Sequence, residues 1–153
     1  MNRLILIVFV LVGCGMTQIV PSEPEAQVLE MIQLIEGAQE EVLLITPGIH
    51  SQTLAEALRE AVVVRGVAIY LLASPKTAED RASYVTSLEL AGARVRLTEL
   101  RESFLVVDRQ QVIASVLGQE LEVARAVTQF YDAFRAAPVY DPTHFTFLQR
   151  RRP

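Results

Sequence analysis

"RESFLVVDRQQVIAS", residues 101 to 115, decides how this chain folds. Phe104 to Val107 form an apolar run of the length of a buried strand. Asp108 and Arg109 interrupt it, and Val112 and Ile113 begin a second run. Two short apolar runs joined by a tight polar turn predict an antiparallel hairpin.

Upstream of the hairpin the pattern changes. Ser22 with Glu25 makes a capping box, and Val28, Met31, Ile32 and Ile35 form a helical stripe behind it. "EVLLIT" (41–46) predicts an apolar strand, ended by Pro47 and Gly48. Residues 52 to 65 predict a helix with Leu54, Leu58, Ala61 and Val62 on one face and Gly66 as its stop. "VAIYLLAS" (67–74) is a second buried strand, and a helix from 78 to 91 follows, capped by Thr77 and closed by Gly92. "ARVRLTEL" (93–100) turns Val95 and Leu97 inward and Arg94 and Arg96 outward, a half-exposed strand. Downstream of the hairpin, a last helix from 119 to 136 aligns Leu121, Ala124, Val127, Tyr131 and Phe134 on one face. The stripe of Phe130, Tyr131 and Phe134 is core or a dimer face. Strands separated by helices of ten to fifteen residues indicate βαβ units, with right-handed crossovers and a mostly parallel sheet. The hairpin makes that sheet mixed. The expected fold class is therefore α/β: a mixed, mostly parallel sheet flanked by helices, with a C-terminal hairpin and a final helix.

A chain of 153 residues fits one domain, and 51% hydrophobic with 21% charged residues is a globular composition. The net charge of −4 argues against nucleic acid as a partner, because that binding draws on clustered Lys and Arg. A single cysteine excludes an intrachain disulfide and a cysteine-based metal cluster. The sequence shows no nucleotide loop, metal-ligand spacing or Ser-His-Asp pattern, so no cofactor and no metal are expected.

That cysteine, Cys14, ends a distinctive N-terminus, "MNRLILIVFVLVGCG". Arg3 is a positive n-region, and Leu4 to Val12 are uninterrupted apolar residues. Nine residues rising about 1.5 Å each cover only about half a bilayer core, which suits a signal-peptide h-region better than a membrane span. Leu11-Val12-Gly13-Cys14 resembles the lipobox of bacterial lipoproteins. The resemblance implies a diacylglycerol on Cys14, cleavage after Gly13, and attachment to the membrane through that lipid. The location implied is the cell envelope: the periplasmic face of the outer membrane in a diderm, otherwise the outer face of the plasma membrane. The expected organisation is signal peptide 1–13, tether 14–24, folded domain 25–138 and C-terminal tail 139–153.

Several segments of the folded part resemble one unit of the phospholipase D-like superfamily. They are "IQLIEGAQEEVLLITPGI", "LAEALREAVVVRGVAIYLLAS", "LELAGARVRL", "FLVVDRQQVI" and "AVTQFYDAFRAAP". In order they cover most of residues 25 to 138. That family works through His-x-Lys followed by four residues and Asp. The His attacks phosphorus, the Lys neutralises phosphate oxygens, and two such motifs meet at one site. Carried onto this chain, the Asp falls on Asp108, the Lys on Ser103 and the His on Arg101. A guanidinium stays protonated and cannot be the nucleophile, and Ser103 carries no charge. The resemblance therefore implies a degenerate motif: the family's fold without its reaction, acting as a binding or scaffolding module. Single-unit members pair about a two-fold axis, so the resemblance also implies a homodimer.

The alternative is an active phosphodiesterase, a homodimer of phospholipase D or endonuclease type with a non-standard site. It would use His50 or an unrecognised constellation; the sequence has two histidines, His50 and His144. His50 follows the first strand, at the end where α/β sheets place ligands; as a loop residue it is otherwise expected at the surface. His144 lies in the tail. Asp108 reads first as a turn residue and second as a catalytic remnant. Arg101 reads as a solvated strand-end arginine or as the contact for a phosphate or other anionic ligand.

Overall fold

The computed structural model describes residues 24–100, 102–114 and 121–142. Cys14, Ser22, Arg101 and His144, on which expectations above rest, lie outside the described residues. The elements are α1 (Pro24–Gly37), β1 (Glu41–Thr46), α2 (Gln52–Val63), β2 (Ala68–Ala73), α3 (Pro75–Ala78), α4 (Val85–Leu90), β3 (Arg94–Leu97), β4 (Phe104–Val107), β5 (Gln111–Ala114) and α5 (Val123–Ala136).

Strand β1 organises the sheet. Glu41 through Ile45 are all buried, as a central strand covered on both faces requires. The sheet runs β3-β2-β1-β4-β5. β1, β2 and β3 are parallel, whereas β4 lies antiparallel to β1 and β5 antiparallel to β4. This is the mixed α/β sheet expected from the alternation of strands and helices, with the hairpin at one edge.

Side chains alternate across the strands and build two cores. Val42, Leu44, Ile69, Leu71, Leu105 and Val107 pack beneath α1, α2 and α4. Leu43, Ile45, Leu72, Phe104, Val106 and Val112 pack against Val123, Ala126, Phe130 and Phe134 of α5. The Phe130 and Phe134 rings stack at 5.6 Å between centroids, and Tyr70 meets Phe134 edge-on at 5.5 Å. Phe130 and Phe134 of the aromatic stripe are thus core. The end of α2 turns at Gly66, whose φ of 71° is a left-handed conformation costly for a residue with a Cβ. Among the described residues, no helix is long and apolar enough to cross a membrane.

Three expectations need correction. The helix expected over 78–91 is two short helices, α3 and α4, separated by a turn. Asp80 accepts the Ala82 backbone N–H and Ser83 that of Val85, so local side-chain acceptors replace helical bonding there. The buried face of α5 is Val123, Ala126, Phe130 and Phe134; Val127 and Tyr131 sit at its half-buried edge and Ala124 is exposed. A phenol needs a partner for its hydroxyl, and the edge position lets Tyr131 reach one. Packing also continues past Pro138: Val139 bridges to Arg96, and buried Tyr140 hydrogen-bonds Thr86 at 2.7 Å. These residues shield the otherwise open edge of β3.

Candidate functional site

The antiparallel register pairs Val42 with Val107 and Ile45 with Phe104. Asp108 therefore lies at the start of β1 and Ser103 at its end, about 17 Å apart along a six-residue strand. His50 follows the end of β1. The structure brings His50 to the Ser103 end and leaves Asp108 at the other, so His50 and Asp108 do not form one site.

At the Asp108 end the bonding is dense. The Asp108 carboxylate accepts backbone N–H bonds from Gln39 (2.9 Å), Glu40 (2.8 Å) and Glu41 (2.9 Å). Burial pushes this carboxyl up, but the three N–H donors and nearby Arg65 together pull it below the ordinary carboxylate value. Asp108 and Arg109 both have positive φ, 50° and 55°, so the hairpin turn holds two non-glycine residues in a left-handed conformation. The bonds they make offset that strain. The Arg109 Nε–H donates to buried Glu41 at 2.5 Å, and the Tyr131 hydroxyl donates to the same carboxylate at 2.7 Å. Arg65 completes this end by donating to the carbonyls of Ile35, Glu36 and Ala38, capping the C-terminus of α1. These contacts tie the hairpin, α1 and α5 to the base of β1, which is the work of a turn residue.

At the opposite end a cavity of about 330 Å³ opens between α1, α2 and the ends of β1 and β4. Val28, Met31, Leu44, Leu54, Leu105 and Ile113 give it apolar walls. Thr46, His50, Ser51, Ser103 and Gln27 add polar groups, and no Lys, Arg, Asp or Glu is among the described lining residues. His50 Nε2 sits 3.0 Å from the Asp80 carboxylate, with both side chains about half exposed. The Ala82 N–H and then His50 hold the Asp80 carboxyl below its ordinary value. The Thr77 hydroxyl donates to the Pro47 carbonyl, and the Tyr84 N–H donates to Ile49 at 2.8 Å. The β1–α2 loop is thus fastened to the loop after β2. Gly48 lies against the Thr77 side chain, where an added Cβ would have no room.

The His50–Asp80 pair was not singled out from the sequence. Its signal was present: in adjacent parallel strands, residues that follow β1 and β2 must emerge at the same end of the sheet. A histidine held by a carboxylate is the arrangement that orients an imidazole for chemistry. The cation that phosphoryl transfer needs beside it is absent from the described lining. Among the described residues, no group of three His, Cys, Asp or Glu side chains could hold a metal ion.

Comparison with solved structures gives the same fold. Nuc from Salmonella typhimurium, a phospholipase D family member, is 17% identical, with a TM-score of 0.63 over 77% of this chain and 93% of that one. NucT from Helicobacter pylori is 13% identical, with a TM-score of 0.66 over 78% of this chain and 94% of that one. TrmBL2, an archaeal chromatin protein that binds DNA, is 20% identical, with a TM-score of 0.60 over 74% of this chain and 50% of that one. This chain thus spans about half the length of TrmBL2. No curated protein sequence matches the chain. The model of a family described as the EBD N-terminal subdomain of the transcriptional regulator TrmB matches residues 20–129. The resemblance drawn from the sequence named the fold shared with the phospholipase D enzymes, whereas the family model names part of a regulator. A fold hosts many functions, so the shared fold stands while the family model points elsewhere for function. With its mixed sheet of phospholipase D-like type and a match across most of its folded residues, the chain belongs to the family of the TrmB EBD N-terminal subdomain.

Proposed function

We propose that this chain is a non-catalytic binding domain on the phospholipase D-like fold, held at the cell envelope by lipid on Cys14. The observation that carries the reading is the composition of the cavity at the ends of β1 and β4. Ser103 stands there in place of an ammonium, His50 is engaged with Asp80, and the described lining holds no fixed positive charge. A phosphodiester drawn into such a cavity would lose hydration without gaining a Lys or Arg counter-charge from the described lining. Membership in a family named for part of a transcriptional regulator supports binding over turnover. The lipobox-like Leu11-Val12-Gly13-Cys14 supports the anchor. A homodimer about a two-fold axis belongs to the same proposal and is read by analytical ultracentrifugation.

The second reading, a phosphodiesterase with a non-standard site, draws on the 3.0 Å His50–Asp80 pair, which lies at the end of the sheet where ligands bind. One assay separates the two. Purified protein is incubated with bis(p-nitrophenyl) phosphate and with phosphatidylcholine, beside His50→Ala. Equal, background hydrolysis by both proteins is expected; turnover that disappears in His50→Ala would establish the enzyme. For the anchor, cells are labelled with a palmitate analogue. Label on the natural chain and none on Cys14→Ser is expected, and equal labelling of both defeats the lipoprotein proposal.

A further inference from the structure

The cavity beside Ser103 carries information about the chemistry of its ligand. At about 330 Å³ it is large enough for a small organic molecule. Its walls are aliphatic, from Val28, Met31, Leu44, Leu54, Leu105 and Ile113. Three of its polar groups are already committed. Thr46 Oγ1 donates to the Gly48 carbonyl at 2.9 Å, Ser51 Oγ caps α2, and His50 Nε2 is bonded to Asp80. Ser103 and Gln27 are both half-buried, and neither has a hydrogen-bond partner among the described residues. Among the described lining residues, the side chains left without a partner are thus one hydroxyl and one carboxamide, both neutral and each able to donate and accept. An ion entering this space would lose hydration and meet no Lys, Arg, Asp or Glu side chain among the described lining residues. An uncharged molecule incurs no such penalty and gains by burying its apolar part.

We propose that this cavity binds an uncharged amphipathic small molecule, with its aliphatic segment along Val28, Met31 and Leu54 and a hydroxyl or carbonyl group at Ser103 and Gln27. The inference rests on the binding-domain reading and adds the class of ligand. It departs from the anionic ligand expected at Arg101, a residue outside the described ones, and rests on a described lining that holds no Lys or Arg.

The sequence contains three methionines, Met1, Met16 and Met31, so methyl-13C methionine labelling gives a short spectrum in which Met31 reports on the cavity wall. Full-length protein in lipid nanodiscs is titrated with octane-1,2-diol, octanoate and octyl phosphate. The expected result is a saturable shift of the Met31 methyl, with the diol binding more tightly than either anion. Ser103→Ala weakens the diol roughly fivefold, as loss of one hydrogen bond does. Leu54→Trp, which fills the cavity from α2, and Val28→Phe, which fills it from α1, each abolish the shift. An anion that binds as tightly as the diol overturns the proposal. So does the absence of a saturable shift in the natural chain, or a shift unchanged in a folded filled variant. Hydrolysis of bis(p-nitrophenyl) phosphate would defeat the binding-domain reading. A protein that hydrolyses nothing and shows no Met31 shift defeats the ligand class alone.

Discussion

The two ends of β1 are built differently. At its start, one carboxylate gathers three consecutive backbone N–H groups, a buried Glu41 is shared by Arg109 and Tyr131, and Arg65 closes the end of α1. At its finish, Ser103 and Gln27 face a cavity, and the hydrogen-bonded pair of His50 and Asp80 is half exposed. Strand β4 runs between these ends, so Ser103, just before it, lies at the cavity and Asp108, just after it, lies in the turn. Residues close in sequence are divided in space because a strand carries its termini to opposite ends of the sheet.

Substitutions can break or sharpen this contrast. The largest effect is expected for Asp108→Ala, which strands three backbone donors and leaves a strained turn without its anchor. It should cost about 3 kcal/mol of stability, read by urea unfolding. A loss no greater than that of His50→Ala would erase the distinction between the ends. Arg65→Ala removes the donors to three carbonyls at the end of α1, and a loss of about 2 kcal/mol is expected in the same measurement. Tyr131→Phe deletes one hydrogen bond to buried Glu41 and should cost about 1 kcal/mol.

Acid provides an independent reading. The folded-state pKa of Asp108 lies below its unfolded value of about 3.9, so its contribution is complete above that pH and is lost as pH falls through the folded value. Urea midpoints between pH 5 and pH 2.5 should therefore fall more steeply for the natural chain than for Asp108→Asn. Parallel slopes would show that the carboxylate form is not what holds the turn. The smallest effects belong to the cavity end: His50→Ala and Ser103→Ala should each change stability by less than about 0.5 kcal/mol.

Much of the fold was legible in residue patterns. "EVLLIT" and "VAIYLLAS" read as buried strands because apolar runs of that length, bounded by Pro47, Gly48 and Gly66, have few other uses. The hairpin turn was visible in Asp108 and Arg109 between apolar runs. What failed was local or rotational. "EDRASY" looked continuous with a helix until Asp80 and Ser83 took backbone donors for themselves. The stripe on α5 was read with the wrong flank inward, because Tyr131 is drawn to Glu41 across the structure. The candidate site was legible in part: His50 lies after the first strand as its position in the sequence implies, but its partner Asp80 was not singled out.

The sequence by itself determined the α/β class and the positions of the strands. These follow from side-chain chemistry and short-range periodicity, which the chain carries wherever it folds. Only the tertiary structure decided that Asp108 lies at the start of β1, away from the cavity, that Asp80 is the residue beside His50, and that the cavity wall near Ser103 is aliphatic and uncharged among the described residues. Those depend on strand order and register, which bring together residues tens of positions apart and separate residues only a few apart.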